Sequence, residues 1–305
     1  SVFFNGTSFF IYELIDSWVG EGIEDFNEGI YSRYSKLDYF KAQNNQHNYL
    51  LDQIKCVDGA KILDIGCGNG NLLKVAKKRG AIAEGITISP IQVKRCKEKC
   101  LKVEFMDYKD IGKEWNGKYS GVVANGSMEH FVSPQEALEG KQDEIYRNMF
   151  LIVKNILKPG GRFVTTTIHF KIKPEPENVM KNALLHKWGS DDFHFSFVLD
   201  NLGCYYPSKG QLERCAKGLF KLEKEVDGTE DYRITSEYWL NKLWPRCLIS
   251  SNFWKSLFFK TIKNPKHSIS SLFQYVITQS WNWQFRPDEN GKTPTRLLRQ
   301  TWKRI

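Results

Sequence analysis

The 305-residue chain is long enough to bury one large domain, or one core domain with an insertion, without staples. Its 41% hydrophobic and 26% charged residues mark a soluble globular protein, and no apolar run reaches the roughly 18 residues that span a bilayer, which excludes an integral membrane protein. The net charge of +9 is spread along the chain rather than gathered in one arm, a solvated surface rather than a nucleic-acid footprint.

Ser1-Val2-Phe3-Phe4 lacks the basic region, long apolar core and small-residue cleavage site of a secretory signal. The seven cysteines are odd in number and scattered, at 56, 67, 96, 100, 204, 215 and 247; they read as thiols in a reducing compartment, and the expected location is cytoplasmic. Cys96 and Cys100 have helical ligand spacing, but no His or second Cys pair accompanies them, so no metal is expected.

In chain order, residues 1–55 read as a helical cap segment, with apolar positions at Phe9, Ile11, Leu14, Ile15 and Trp18 and then at Leu50, Leu51 and Ile54. From 56 to 168 short apolar strands at 61–65, 81–86, 103–105, 121–124 and 162–167 alternate with amphipathic helices, the pattern of a parallel sheet covered on both faces. Lys158-Pro159-Gly160-Gly161 gives a sharp helix stop before the last of these strands. Residues 169–208 break the rhythm with Pro174, Pro176 and the mixed run 186–194, and read as an insertion over the acceptor site. A helix near 208–218 and a strand near 219–226 resume the sheet, which 209–305 complete: 235–280 is read as helical and 281–285 as a final strand.

The chemistry begins at Asp64-Ile65-Gly66-Cys67-Gly68-Asn69-Gly70, directly after the first strand. Glycine tolerates positive φ and lets backbone approach a ligand closely. A dinucleotide fold would space its glycines G-x-G-x-x-G and a P-loop would follow them with Lys. Here the spacing is G-x-G-x-G with an Asp ahead, the pattern of class I methyltransferases. S-adenosylmethionine carries an ammonium, a carboxylate and a sulfonium, so its site wants an anion and backbone donors, and Asp64 with Gly66, Gly68 and Gly70 supplies both.

The second strand ends in Thr87 where most such folds keep an acid for the ribose. A hydroxyl with the downstream amide of Gln92 can bond the ribose by neutral hydrogen bonds, while Thr87 and Ser89 can also cap the helix that begins near Pro90, with Ser89 the better cap. After the third strand Asp107 puts a carboxylate where it can accept from the adenine amino group, or is simply an exposed loop acid; Tyr108 beside it and Asn125, after the fourth strand, join the cofactor-side candidates.

Taken with Met128-Glu129-His130-Phe131, Leu157-Lys158-Pro159-Gly160-Gly161, Tyr206-Pro207-Ser208, Asp231-Tyr232 with Thr235 and Trp239, and Tyr31-Ser32, these motifs resemble the cyclopropane-fatty-acid synthase family of class I methyltransferases over residues 26–286. The resemblance implies a Rossmann-like α/β fold: a seven-stranded, mostly parallel sheet with helices on both faces, a helical N-terminal segment, and an insertion and C-terminal helical cap over the site. It adds Tyr31 and Ser32 to the cofactor site and implies a bicarbonate ion held by a Cys, a Glu, a His and a Tyr in members that form cyclopropane rings. Glu129 and Tyr232 fall on two of these positions; the Cys position is Arg33 and the His position Thr166. A related branch, resembling plant alkaloid N-methyltransferases, uses the Glu-His pair as a base, here Glu129 and His130.

Methyl transfer is an in-line displacement, so alignment and exclusion of water do most of the work. Glu129, His130 and Tyr232 are the catalytic candidates, and Trp188, Phe193, Phe195, Tyr205, Tyr206, Trp239 and Trp244 are aromatic candidates for an acceptor cage or for plain core. The segment 244–266 mixes aromatics and lysines as an interfacial helix does, or packs the stripe Phe253, Trp254, Leu257 and Phe258 on the sheet. The expected activity is methyl transfer to a small-molecule nitrogen or unsaturated carbon. The alternatives are modification of unsaturated acyl chains in membrane lipid, with peripheral membrane contact, and cofactor binding without catalysis. The partner is thus a small-molecule or lipid acceptor and not nucleic acid.

Overall fold

The alternation between 61 and 168 is realised as β1 (Lys61–Ile65), α2 (Asn71–Lys78), β2 (Ile82–Thr87), α3 (Pro90–Glu98), β3 (Lys102–Phe105), β4 (Tyr119–Asn125), α4 (Pro134–Leu138), α5 (Gln142–Ile156) and β5 (Leu157–Phe170), preceded by α1 (Tyr39–Gln53). The structure, a computed structural model, describes residues 25–31, 38–251, 254, 255, 258, 259, 262 and 274–305. Expected helices in residues 1–24, together with Ser32 and Arg33, lie outside these. Then follow α6 (Pro176–Met180), α7 (Asp191–Phe195), α8 (Gln211–Ala216), β6 (Phe220–Asp227), α9 (Thr229–Tyr238), α10 (Trp244–Ile249), α11 (Gln274–Trp283) and β7 (Thr295–Arg304).

The seven strands form one sheet of order β3-β2-β1-β4-β5-β7-β6, in which only β7 runs antiparallel to its neighbours. Helical crossovers between β1 and β5 force the parallel pairing. Both faces are buried. Phe150, Phe163, Phe220 and Trp302 interlock on one side, and Leu50, Leu51, Ile54, Ile62, Leu72 and Val164 pack on the other.

The final strand corrects the sequence reading. Residues 281–283 close helix α11, where Trp281 and Phe285 meet one turn apart with ring centroids 6.2 Å apart, and the last strand lies at Thr295–Arg304. That strand carries no apolar run because its inward polar groups are paired: Arg299 with Glu28 and Asp231, Gln300 with Glu225, Thr301 with Gln53. A second correction concerns β5, which starts at Leu157 and so takes in the Lys158-Pro159-Gly160-Gly161 turn after α5 ends at Ile156.

Two irregular segments meet at the carboxyl edge of the parallel strands. The insertion ends in Leu202-Gly203-Cys204-Tyr205-Tyr206, fastened beside the sheet by Tyr205 N donating to the Val132 carbonyl at 2.8 Å. Residues 25–31 form an extended strap. Gly29 N donates to Thr235 Oγ1 (2.9 Å), Tyr31 N to Asp231 Oδ1 (3.1 Å) and Ile30 N to the Ala42 carbonyl (2.8 Å). Position 29 takes glycine because a Cβ there would lie 2.6 Å from that of Ala42.

Candidate active site

Where β1 ends, the Gly66 and Cys67 amides both donate to the Ile86 carbonyl, folding the loop back across the sheet edge. Gly66, Gly68 and Gly70 have φ of +78°, +53° and +76°. A Cβ on Gly66 would lie 2.6 Å from that of Ser127, so the loop and the turn after β4 close on each other as only glycine permits. Gly70 serves packing instead: it precedes α2, with Leu101 and Cys96 in the space its side chain would fill.

A cavity of about 390 Å³ opens over this loop, within the range of small-molecule sites. At one end it is walled by Gly66, Gly68, Thr87, Gln92, Asp107 and Tyr108, and at the middle by Asn125. At the other end stand Glu129, His130 and Tyr232. Asp64, Gly70 and Tyr31 are not among the lining residues. Tyr31 is joined to α9 by a hydrogen bond from Thr235 Oγ1 to its hydroxyl (3.3 Å).

The Thr87 hydroxyl donates to Gln92 Oε1 at 2.7 Å and accepts from Ser89 N at 3.2 Å, so the pair is preorganised and offers an amide NH₂ to the cavity. Ser89 holds the N-cap position of α3 but makes no side-chain capping bond, contrary to its expected role. Asp107 Oδ1 accepts from Lys109 N (3.0 Å), which leaves its second carboxylate oxygen out of that bond, and Tyr108 stacks on Phe131 with centroids 4.1 Å apart. Asn125 and Gln46 bond each other through both amide groups, at 2.7 and 3.1 Å, and Thr166 donates to Asn125 Oδ1 at 2.8 Å. Thr87→Ala is expected to weaken S-adenosylhomocysteine binding roughly 3- to 10-fold by calorimetry, the value of one lost neutral hydrogen bond.

Two buried acids stand at the site, Asp64 below the glycine loop and Glu129 in the cavity wall. Asp64 is 2% exposed and its Oδ1 has no partner among the described residues; burial, reinforced by Asp25, pushes its pKa up to about 8. Glu129, 3% exposed, accepts from Ile168 N at 2.8 Å through Oε1, while Oε2 has no partner among the described residues. Burial pushes it up to about 8 as well, and backbone N–H groups offset this only in part. Burial also holds His130 below the ordinary imidazole value, so it is neutral at pH 7, against a hydrogen bond to the Leu202 carbonyl. The Tyr232 hydroxyl donates to the Phe26 carbonyl at 3.0 Å and its ring stacks on Phe285.

This donor set fits S-adenosylmethionine. An orphaned buried carboxylate at the glycine loop suits an ammonium, the Thr87–Gln92 pair suits a ribose, and no phosphate-binding Lys is present in the loop. The sequence profile of the mycolic acid cyclopropane synthetase family matches residues 30–247. The chain belongs to this family. Members of the mycolic acid cyclopropane synthetase family are methyltransferases that use S-adenosylmethionine.

The cyclopropane-fatty-acyl-phospholipid synthase of Escherichia coli strain K12 is 27% identical over 259 residues, 82% of this chain. The chain spans only 59% of that relative's length. Among solved structures, the cyclopropane synthase MmaA2 from Mycobacterium tuberculosis superposes with a TM-score of 0.70 at 16% identity, covering 96% of this chain and 95% of that one. Coclaurine N-methyltransferase, solved with N-methylheliamine and SAH, gives 0.73 at 15% identity over 96% of this chain and 78% of its own. At such identities the likeness is one of fold.

Several wall residues were not singled out from sequence. Phe26 and Asn27 of the strap and Trp281 of α11 line the cavity, as does Cys204. Of the aromatic candidates only Tyr206 does; Phe193, Phe195 and Tyr205 are core, Trp239 packs edge-on to Tyr232, Trp244 donates to Thr278, and Trp188 is 70% exposed. The expected packing of a 253–258 stripe on the sheet does not occur at its described members, since Trp254 and Phe258 are exposed. Phe253 and Leu257 lie outside the described residues. Among the described residues no helix is long and apolar enough to cross a membrane, and no cluster of His, Cys, Asp and Glu is placed to hold a metal.

Proposed function

We propose that this chain transfers the methyl group of S-adenosylmethionine to the nitrogen of a small-molecule amine. The observation that carries the reading is Glu129: a buried carboxylate with one oxygen unpartnered, no Lys or Arg paired with it among the described residues, and aromatic walls from Phe131, Tyr206, Tyr232 and Trp281 around it. Such an end attracts a cation or a nitrogen about to become one, and repels an anion. Thr166, at the position where the resemblance implies a bicarbonate-binding His, spends its hydroxyl on Asn125 instead.

When bound, S-adenosylmethionine supplies an electrophilic methyl group. The chain's own residues do the rest. Asp64 and the glycine loop hold the amino-acid portion, Thr87 with Gln92 the ribose, and Asp107 with Tyr108 the adenine. The aromatic walls keep water from the reacting nitrogen, and Glu129 Oε2 takes the proton that the methylated nitrogen sheds. In this reading the described part of residues 1–55 serves as a cap, 56–168 as the cofactor core, 169–208 as the acceptor-side insertion, and the described part of 209–305 as the completion of the sheet.

A second reading, transfer to unsaturated acyl chains, draws on the phospholipid synthase relative and on exposed Leu248, Ile249, Trp254, Phe258, Phe259 and Ile262, which suit peripheral contact with a membrane. Incubation with methyl-labelled cofactor and separate pools of amines and phospholipids distinguishes them. Label in amines supports the first. Label in phospholipid, with a gain of one CH₂ and loss of the double bond, replaces it with the second. Cofactor binding with no transfer to either pool would mean a binding protein.

A further inference from the structure

Asp25 lies at the start of the strap, outside every motif read from the sequence. Its carboxylate is held from two sides: Oδ2 pairs with His47 Nε2 of α1 at 2.7 Å, and Oδ1 accepts from Nδ2 of Asn71, the first residue of α2, at 3.2 Å. Its backbone carbonyl accepts from the Tyr39 hydroxyl at 3.1 Å. These bonds set the carboxylate over the glycine loop. A Cβ on Gly68 would find one atom within 4 Å, Asp25 Oδ1 at 4.0 Å, so this acid overlooks the open side of the loop.

Beneath the same loop stands Asp64, 2% exposed, with Oδ1 unpartnered among the described residues. The two acids feel each other electrostatically, since Asp25 adds to the upward push on the Asp64 pKa. Neither pairs with a Lys or Arg among the described residues; His47 is the one basic group against them. A buried carboxyl oxygen left without a donor, as at Asp64, carries a cost that an ammonium placed between the two acids would remove.

We propose that Asp25 completes, with Asp64, a subsite for the ammonium of the cofactor's amino-acid portion, and that filling it fastens the strap, with Phe26 and Asn27, over the cavity. The inference rests on the cofactor reading above. Asp25 is then both a ligand and a closure device: the charge that binds the cofactor is carried on the segment that covers it. His47 and Asn71 orient that charge from the two helices flanking the loop.

The test compares two nucleosides on the full chain by calorimetry. S-adenosylhomocysteine has the ammonium; methylthioadenosine lacks the amino-acid portion. Asp25→Asn is expected to weaken S-adenosylhomocysteine by about 10- to 100-fold, the worth of a hydrogen bond to a charged group, and to leave methylthioadenosine within about 2-fold. His47→Gln, which keeps the acid but loosens it, is expected to show the same selectivity at about 3-fold. Hydrogen exchange of residues 25–31 should slow on adding S-adenosylhomocysteine to the wild type and not to Asp25→Asn. Equal weakening of both nucleosides, or no weakening of either, overturns the proposal. A wild-type chain that binds neither nucleoside overturns the cofactor reading and this inference with it.

Discussion

Replacing Glu129 by Gln is expected to lower kcat by about 10²- to 10³-fold while changing S-adenosylhomocysteine affinity by less than about 3-fold. Gln keeps the bond from Ile168 N through its carbonyl oxygen and nearly the same volume, so the fold and the cofactor end are preserved. What it loses is a proton acceptor at the unpartnered oxygen. The pH profile gives the sharper readout. Burial raises the Glu129 pKa to about 8, so below that pH the free protein carries it protonated and unable to accept. Wild-type kcat/KM should therefore climb with pH and level off above about 8, and the Gln variant should lack this limb. An equal loss in turnover and cofactor affinity would make Glu129 a structural acid.

Arg299→Met is expected to destabilise the protein by about 3–5 kcal/mol, because it leaves Glu28 buried without a counter-charge. Arg299 Nε donates to Glu28 Oε1 at 2.8 Å and an Nη group to Asp231 Oδ2 at 2.8 Å, with Arg299 and Glu28 side chains 3% and 1% exposed. Even beside Arg299, burial keeps the Glu28 pKa above its ordinary value, so desolvation outweighs attraction at that acid. In a chain of this size the loss should lower Tm by about 5–8 °C. The double variant Glu28→Leu, Arg299→Met should recover most of it, since removing both charges removes the penalty; Asp231 keeps the Tyr31 N bond and partial solvent. Thermal melts of the two variants decide the matter: equal losses in both would show that the triad adds nothing beyond packing.

What was legible in the sequence was what local physics dictates. The loop at 64–70 could be read because glycine spacing after a strand reports backbone geometry directly, and Thr87 and Gln92 could be paired because they flank one helix start. The fold followed from the strand rhythm and the family motifs. Strand β7 was illegible for a physical reason: Arg299, Gln300 and Thr301 are buried by virtue of partners as far away in sequence as Glu28, so no apolar periodicity marks them. Trp281 and Trp283 alternate like a strand yet sit on a helix that points one of them at the cavity. Asp25-Phe26-Asn27 has no periodicity at all. Its place over the site comes from bonds to α1, α2 and α9, which only the assembled fold brings together.

The position of β7 also orders events during synthesis. It slots between β5 and β6, and the guanidinium that holds the strap belongs to it. As the nascent chain leaves the ribosome, the glycine loop and both cavity acids are translated long before Arg299. The strap emerges before the glycine loop and waits longer than the loop for its anchor. A partly translated chain thus holds the groove without its fastening, and the cover locks only when the last strand has threaded home.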